Sequence, residues 1–153
     1  MASEKEKMLS GQVYRAHDPE LEQERKRARL LIHQYNHLPP GEITQQEQIV
    51  RELFGSCGEQ FVIEAPFRCD YGYNIHLGEN FYSNFNLVIL DCAEVRIGNN
   101  ALIGPDVVIG SGSVVTRDIP SGVIAMGNPC KVLREITEED KKYYHKKLRF
   151  NES

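Results

Sequence analysis

Two hydrophobic rhythms divide the chain. Through the first sixty positions apolar residues recur every three or four places, and from about residue 65 they recur every six. In the stretch HDPELEQERKRARLLIHQYNHLPPG, Leu21, Arg25, Ala28, Leu31, Ile32 and Tyr35 fall on one helical stripe with a basic opposite side. Asp18 as N-cap and Pro19 at the first helical position predict its start, and Pro39, Pro40 and Gly41 its stop. TQQEQIVRELFG predicts a second helix. Thr44 and Glu47 form its capping box, Ile49, Val50, Leu53 and Phe54 its apolar face, and Gly55 its end.

The later rhythm is written out as nine hexads, starting at 65, 71, 77, 83, 89, 97, 103, 109 and 115, with Val95 and Arg96 as two extra residues. Leu77-Gly78, Ile97-Gly98, Ile103-Gly104 and Ile109-Gly110 repeat an aliphatic followed by glycine. A period of six fits neither strand alternation nor a helix. It fits a short strand and a tight corner, repeated, so that the chain winds as a parallel β-helix. The aliphatics stack in a narrow interior, while glycine and asparagine relieve the corners. A sandwich of short strands would place turn signals every 8–12 residues or so instead. At three hexads per turn the nine make three coils. The expected organisation is a helical cap over 1–60, a β-helix over 61–125, and a turn and tail over 126–153. Thr137 and Asp140 predict a short helix in that tail.

Charge and cysteine usage narrow the chemistry. The formal charge of −4 excludes a basic nucleic-acid footprint over the whole chain. The basic runs ERKRAR (24–29) and KKLR (146–149) read as solvated faces or as phosphate contacts. No apolar run approaches the length of a membrane span, and the charged N-terminus has no signal-peptide core. Cys57, Cys69, Cys92 and Cys130 show no C-x-x-C spacing, which predicts reduced thiols in a cytoplasmic protein and no metal site.

The segments EKEKMLSGQVY, ERKRARLLIHQYN, FRCDYGYNIHLGENFYSNFN, GSGSVVTRDIP and GNPCKVLREI, in this order, resemble the maltose and galactoside O-acetyltransferases, which are hexapeptide-repeat acyltransferases. The resemblance spans nearly the whole chain. It implies a left-handed parallel β-helix with an α-helical N-terminal cap, assembled as a homotrimer with active sites between subunits. It also implies acetyl-CoA as co-substrate and a sugar as acceptor, of the maltose, glucose or galactoside class. By resemblance, Arg25, Asp70, Asn84 and Asp91 match acceptor-side positions. Ser111, Thr116, Arg117, Lys131 and Arg134 match the strip that holds coenzyme A, where the basic members suit its phosphates. By residue type alone, Asp70 and Asn84 also suit tight corners, Asp91 an exposed cap, and Lys131 and Arg134 solvated charge.

One departure stands out. After IGPDV the family continues through a strand and a Thr-His-Pro-like stretch that carries its general base, whereas this chain passes directly to VIGSGSVVT. By resemblance about fifty residues are absent, close to two coils and a loop. The hexad phase survives the junction, since Ile97, Ile103, Ile109 and Val115 stay six apart. No histidine occurs between His76 and His145, so no catalytic residue is assigned. The expected function is an acetyl-CoA-dependent sugar O-acetyltransferase impaired by the missing base. The alternative is a non-catalytic trimeric β-helix or an internally deleted variant.

Overall fold

A computed structural model of the protein describes residues 1–140, 143–145 and 148–149. Three helices come first: α1 (Glu4–Leu9), α2 (Pro19–Asn36) and α3 (Ile43–Leu53). The charge alternation of the N-terminus hides α1, which is nonetheless capped by a complete Ser3–Glu6 box and buries Met8. α2 starts where Asp18 and Pro19 predict. The Asp18 carboxylate accepts from the Glu20 and Leu21 N–H groups, and Leu21, Ala28, Leu31, Ile32 and Tyr35 are buried. α3 departs from expectation, with Glu42 as its N-cap and no side-chain cap hydrogen bond. The turn closed by the Glu42 N–H on the Pro39 carbonyl delivers the chain into the helix two residues early, which leaves Thr44 already inside it.

From Phe61 the chain coils as a parallel β-helix. Its strands are β1 (Phe61–Ile63), β2 (Phe67–Cys69), β3 (Ile75–Leu77), β4 (Phe81–Ser83), β5 (Leu87–Ile89), β6 (Val95–Ile97), β7 (Leu102–Ile103), β8 (Val108–Ile109), β9 (Val114–Val115) and β10 (Val123–Met126). They stack into three faces, β1-β4-β7, β2-β5-β8-β10 and β3-β6-β9. Inward residues form columns such as Cys69–Ile89–Ile109–Ala125 and Leu77–Ile97–Val115, in register from coil to coil. Ile97, Ile103, Ile109 and Val115, the phase markers of the repeat, are all buried. Each such side chain contributes about 1.5–3 kcal/mol by leaving water, so the column, more than any local propensity, holds the coils together.

The corners depart from strict hexads. Phe61 pairs with Phe81 and Ile75 with Val95, so the first coils run 20 residues. The surplus sits in two long corners, 70–74 and 90–94, and not at Val95 and Arg96, which are strand residues of β6. Later coils shorten, with Arg96 facing Val114 and Val108 facing Ile124. Asn80, Asn86, Asn100 and Asp106 take positive φ at the other corners, as the asparagine pattern predicts. They form ladders of their own, with the Asn80 amide donating to Asn100 at 3.0 Å and the Asn86 amide to Asp106 at 2.9 Å. Three edges result. The first holds 64–66, 84–86 and 104–106, the second 70–74, 90–94 and 110–112, and the third 78–80, 98–100 and 116–118.

The tail corrects the expected short helix. β11 (Lys131–Glu135) turns back antiparallel on β10, and β12 (Tyr143–His145) pairs with β13 (Leu148–Arg149). The Thr137–Asp140 pair does form reciprocal bonds, at 2.8 and 3.2 Å, but it closes a turn and no α-helix follows among the described residues. The Asp140 carboxylate also holds Arg134 of β11 through two contacts, at 2.6 and 2.8 Å, which ties the turn to the strand. The sequence that follows, Tyr143 and Tyr144, favours strand over helix.

Candidate functional site

The second edge carries the main cleft. It lies between α2, the segment before it, and the two long corners. Asp91 builds this edge from inside. Its side chain is fully buried, and its carboxylate accepts from the Asp70, Tyr71 and Gly72 N–H groups at 3.0, 2.9 and 2.7 Å. Burial pushes its carboxyl above the ordinary value, against the pull of those three donors. The Asn74 amide closes the ring by donating to the Asp91 carbonyl at 2.7 Å. Gly72 has φ +85°, and a Cβ there would meet Leu53 Cδ1 at 2.4 Å, so only glycine lets this corner seat on α3.

The outer wall comes from α2. Arg25 donates to the Tyr71 hydroxyl at 2.7 Å and lies 5.7 Å above the Tyr71 ring. Its other terminal nitrogen donates to the Ala16 carbonyl, so the guanidinium is pinned at the cleft. Asp70 accepts from the Cys92 thiol at 3.5 Å, and Tyr14 is hydrogen-bonded to the same sulfur. Burial, first, and the neighbouring thiol push the Tyr14 hydroxyl up to about 12. Burial also raises the Cys92 thiol. His17 stands at the rim, its Nδ1 3.1 Å from Glu22 and its side chain 94% exposed.

The residues expected from the sequence are thus distributed over the prism. Arg25 and Asp70 meet in the cleft. Asp91 lies beneath them, facing backbone, and the neighbouring Cys92 is the side chain that lines the cleft. Asn84 sits on the first edge, where its side chain accepts from the Phe85 N–H at 2.8 Å. Ser111 lies on the second edge one coil further on, donating to the Leu90 carbonyl. Thr116 and Arg117 lie exposed on the third edge, and Lys131 and Arg134 on β11. Arg134 is held by Asp140, whose carboxyl that contact keeps well below the usual carboxylate range. Tyr14 and Tyr71 carry no site signal in the sequence, and Cys92 enters it only as the residue that a one-position register error at Asp91 reaches. Tyr14 belongs to no periodic segment, and the uneven corners conceal which side of the chain Tyr71 and Cys92 face.

Residues 7–58 match the maltose acetyltransferase hexapeptide capping motif. The galactoside O-acetyltransferase of Escherichia coli K12 is 33% identical over 196 aligned positions, covering 97% of this chain and 97% of that protein. Since 196 positions exceed the 153 residues here, the alignment includes positions this chain does not fill. Among solved structures, a maltose O-acetyltransferase from Clostridium difficile 630 superposes with a TM-score of 0.62 at 36% identity, covering 90% of this chain and 99% of that one. A galactoside acetyltransferase in complex with coenzyme A superposes with a TM-score of 0.63 at 32% identity, covering 97% and 98%.

Proposed function

Given that the chain belongs to the galactoside and maltose O-acetyltransferase family of hexapeptide-repeat proteins, we propose that it binds acetyl-CoA and a sugar between the copies of a homotrimer and transfers the acetyl group only slowly. The observation that carries the slow transfer is the run Ile103–Val115, which winds straight through the junction at Val107 and Val108 with no histidine in it. The alignment with the Escherichia coli protein is longer than this chain, which supports a shortening without locating it.

Acetyl-CoA would supply an activated thioester. The sugar hydroxyl attacks its carbonyl carbon, the C–S bond breaks, and the hydroxyl proton has to be taken up as the thiol leaves. Arg25 and Asp70 would hold the sugar, with Asp91 shaping the corner beneath. A general base must be held within hydrogen-bond reach of that proton. His17 is the imidazole at the cleft, and its nearly complete exposure leaves it unoriented for the task. Arg117 and Lys131 are exposed cations with no carboxylate partner among the described residues, which suits coenzyme A phosphates. Arg134 joins them only when it leaves Asp140.

Trimer formation is supported by the distribution of the site. Asn84, Asp70 and Arg117 lie on three different edges, separated by strands of at least about 10 Å. One chain cannot bring them together, while packing the first edge of one copy against the second edge of the next would join Asn84 to Asp70. The first face offers an apolar contact surface, with Val62 and Leu102 half-exposed in one outward column with Tyr82. The third face carries charge, where Glu94 bridges His76 and Arg96 at 3.2 and 2.6 Å.

The test is direct. Protein, acetyl-CoA and maltose or a galactoside are incubated, acetylated sugar is followed by mass spectrometry, and coenzyme A binding is measured by calorimetry. Binding with transfer far below about 1 per second is expected, since that is the low end of ordinary enzyme turnover. Turnover in the ordinary range would refute the slow transfer. Absence of binding by both ligands would refute the acetyltransferase reading and leave a structural module.

A further inference from the structure

α2 is stitched to β2 by one residue. The Asn36 side chain accepts from the Phe67 N–H at 3.0 Å and donates to the Phe67 carbonyl at 2.9 Å. Beside this seam runs a second cleft of about 460 Å³, which shares Arg25, Arg29 and Asp70 with the first. Ile32, Val88 and Leu90 give it an apolar side. Arg29, Arg68, His33 and His37 give it a cationic and proton-accepting one.

The charge there is unbalanced. Among the described residues neither Arg29 nor Arg68 has a carboxylate partner, whereas the adjacent Arg27 turns to Glu52 at 3.8 Å. The single carboxylate lining the cleft, Asp70, already accepts the Cys92 thiol. The His33 and His37 rings lie 4.1 Å apart, and His37 Nδ1 is 2.8 Å from the His33 carbonyl. That contact makes Nδ1 the donor and fixes the orientation of the His37 ring. Two guanidiniums beside an apolar wall suit a ring with a charged substituent: the wall takes the C–H face and the guanidiniums the anion.

Resting on the acceptor reading above, we propose that this cleft receives an anionic substituent of the acceptor, phosphate or carboxylate, so that the substrate class is a charged saccharide. The other anionic reactant belongs elsewhere. Arg68, Val88, Val108, Ile124 and Arg134 follow one another in register on the second face. Four strand spacings of about 4.8 Å put Arg68 roughly 19 Å from the Arg134 end of the proposed coenzyme strip.

The experiment titrates the full chain by calorimetry at low salt with glucose, glucose 6-phosphate, glucuronate and inorganic phosphate. At least one charged sugar is expected to bind about tenfold tighter than glucose, the scale of one or two charge-assisted hydrogen bonds. The two charged sugars separate phosphate from carboxylate. The double variant Arg29→Gln/Arg68→Gln is expected to lose that advantage, and phosphate binding with it, at an unchanged unfolding midpoint. Equal affinity for charged and neutral sugars overturns the proposal, as does an advantage that survives in the double variant. Displacement of phosphate by adenosine 3′,5′-bisphosphate overturns it too, by assigning the cleft to the coenzyme. Phosphate binding that depends on Arg29 and Arg68, with no sugar bound at all, supports the anion cleft while refuting the acceptor reading.

Discussion

Replacing Asp91 separates a corner-building role from a sugar-binding one. Its two carboxylate oxygens serve different donors: Oδ1 accepts from Asp70 and Tyr71, and Oδ2 from Gly72. Asp91→Ala leaves all three N–H groups without their acceptor in a buried corner. At about 1–3 kcal/mol per orphaned donor, offset in part by water entering the space, the expected loss is about 3–5 kcal/mol. For a chain of this length that lowers the melting temperature by roughly 6–20 °C. Asp91→Asn keeps an oxygen toward Asp70 and Tyr71 and turns an NH2 toward Gly72, so its expected cost is about 1–2 kcal/mol. Urea unfolding followed by circular dichroism reads both. The pH dependence adds a check. The folded-state carboxyl lies above its unfolded value because it is buried, so its protonated form stabilises the fold. That contribution is complete below the unfolded pKa of about 4 and is lost as pH rises through the folded pKa. The stability advantage of the natural chain over Asp91→Asn is therefore larger near pH 4 than at pH 7. An Asp91→Ala protein within 1 kcal/mol or so of the natural stability, yet unable to bind sugar, would refute the reasoning and return Asp91 to the cleft.

Ser83 faces the core in the column between Ile63 and Ile103, and its hydroxyl has no hydrogen-bond partner. Ser83→Val is expected to raise stability by about 1–2 kcal/mol, read as a higher urea midpoint at unchanged slope, and a lower midpoint would mean the pocket cannot take the extra methyl. Leu102→Lys places a charge on the apolar first face at a half-exposed site. Native mass spectrometry should show monomer with an unaltered unfolding curve, and an intact trimer would move the interface to another face. Asp140→Asn frees Arg134 from its two contacts and should tighten coenzyme A binding about threefold by calorimetry. Weaker binding would remove Arg134 from the phosphate strip.

The sequence reads best where one face of an element must be dry. The stripe of α2 and the ladder Ile97–Ile103–Ile109–Val115 were legible because every inward step is constrained by a neighbour above and below. A β-helix imposes no such constraint on its corners. Residues 70–74 and 90–94 each lengthen a coil without disturbing a single inward column, so even hexads misplace the surplus at Val95 and Arg96. The consequence for the site is specific. One step along a long corner separates Asp91, locked under three amides, from Cys92, which lines the cleft. The Thr137–Asp140 signal fails for a related reason, because the same pair of reciprocal bonds opens a helix or closes a turn, and the residues beyond it decide. Nor does the period say which edges meet, since Asn84, Asp70 and Arg117 lie on three different edges of one chain and only the proposed trimer would join them. Freedom to lengthen is also what makes a corner useful: extra residues there can reach a ligand at no cost to the core. The cleft therefore opens where the repeat is least regular, at the corners 70–74 and 90–94, while Asn84 and Arg117 sit at regular ones.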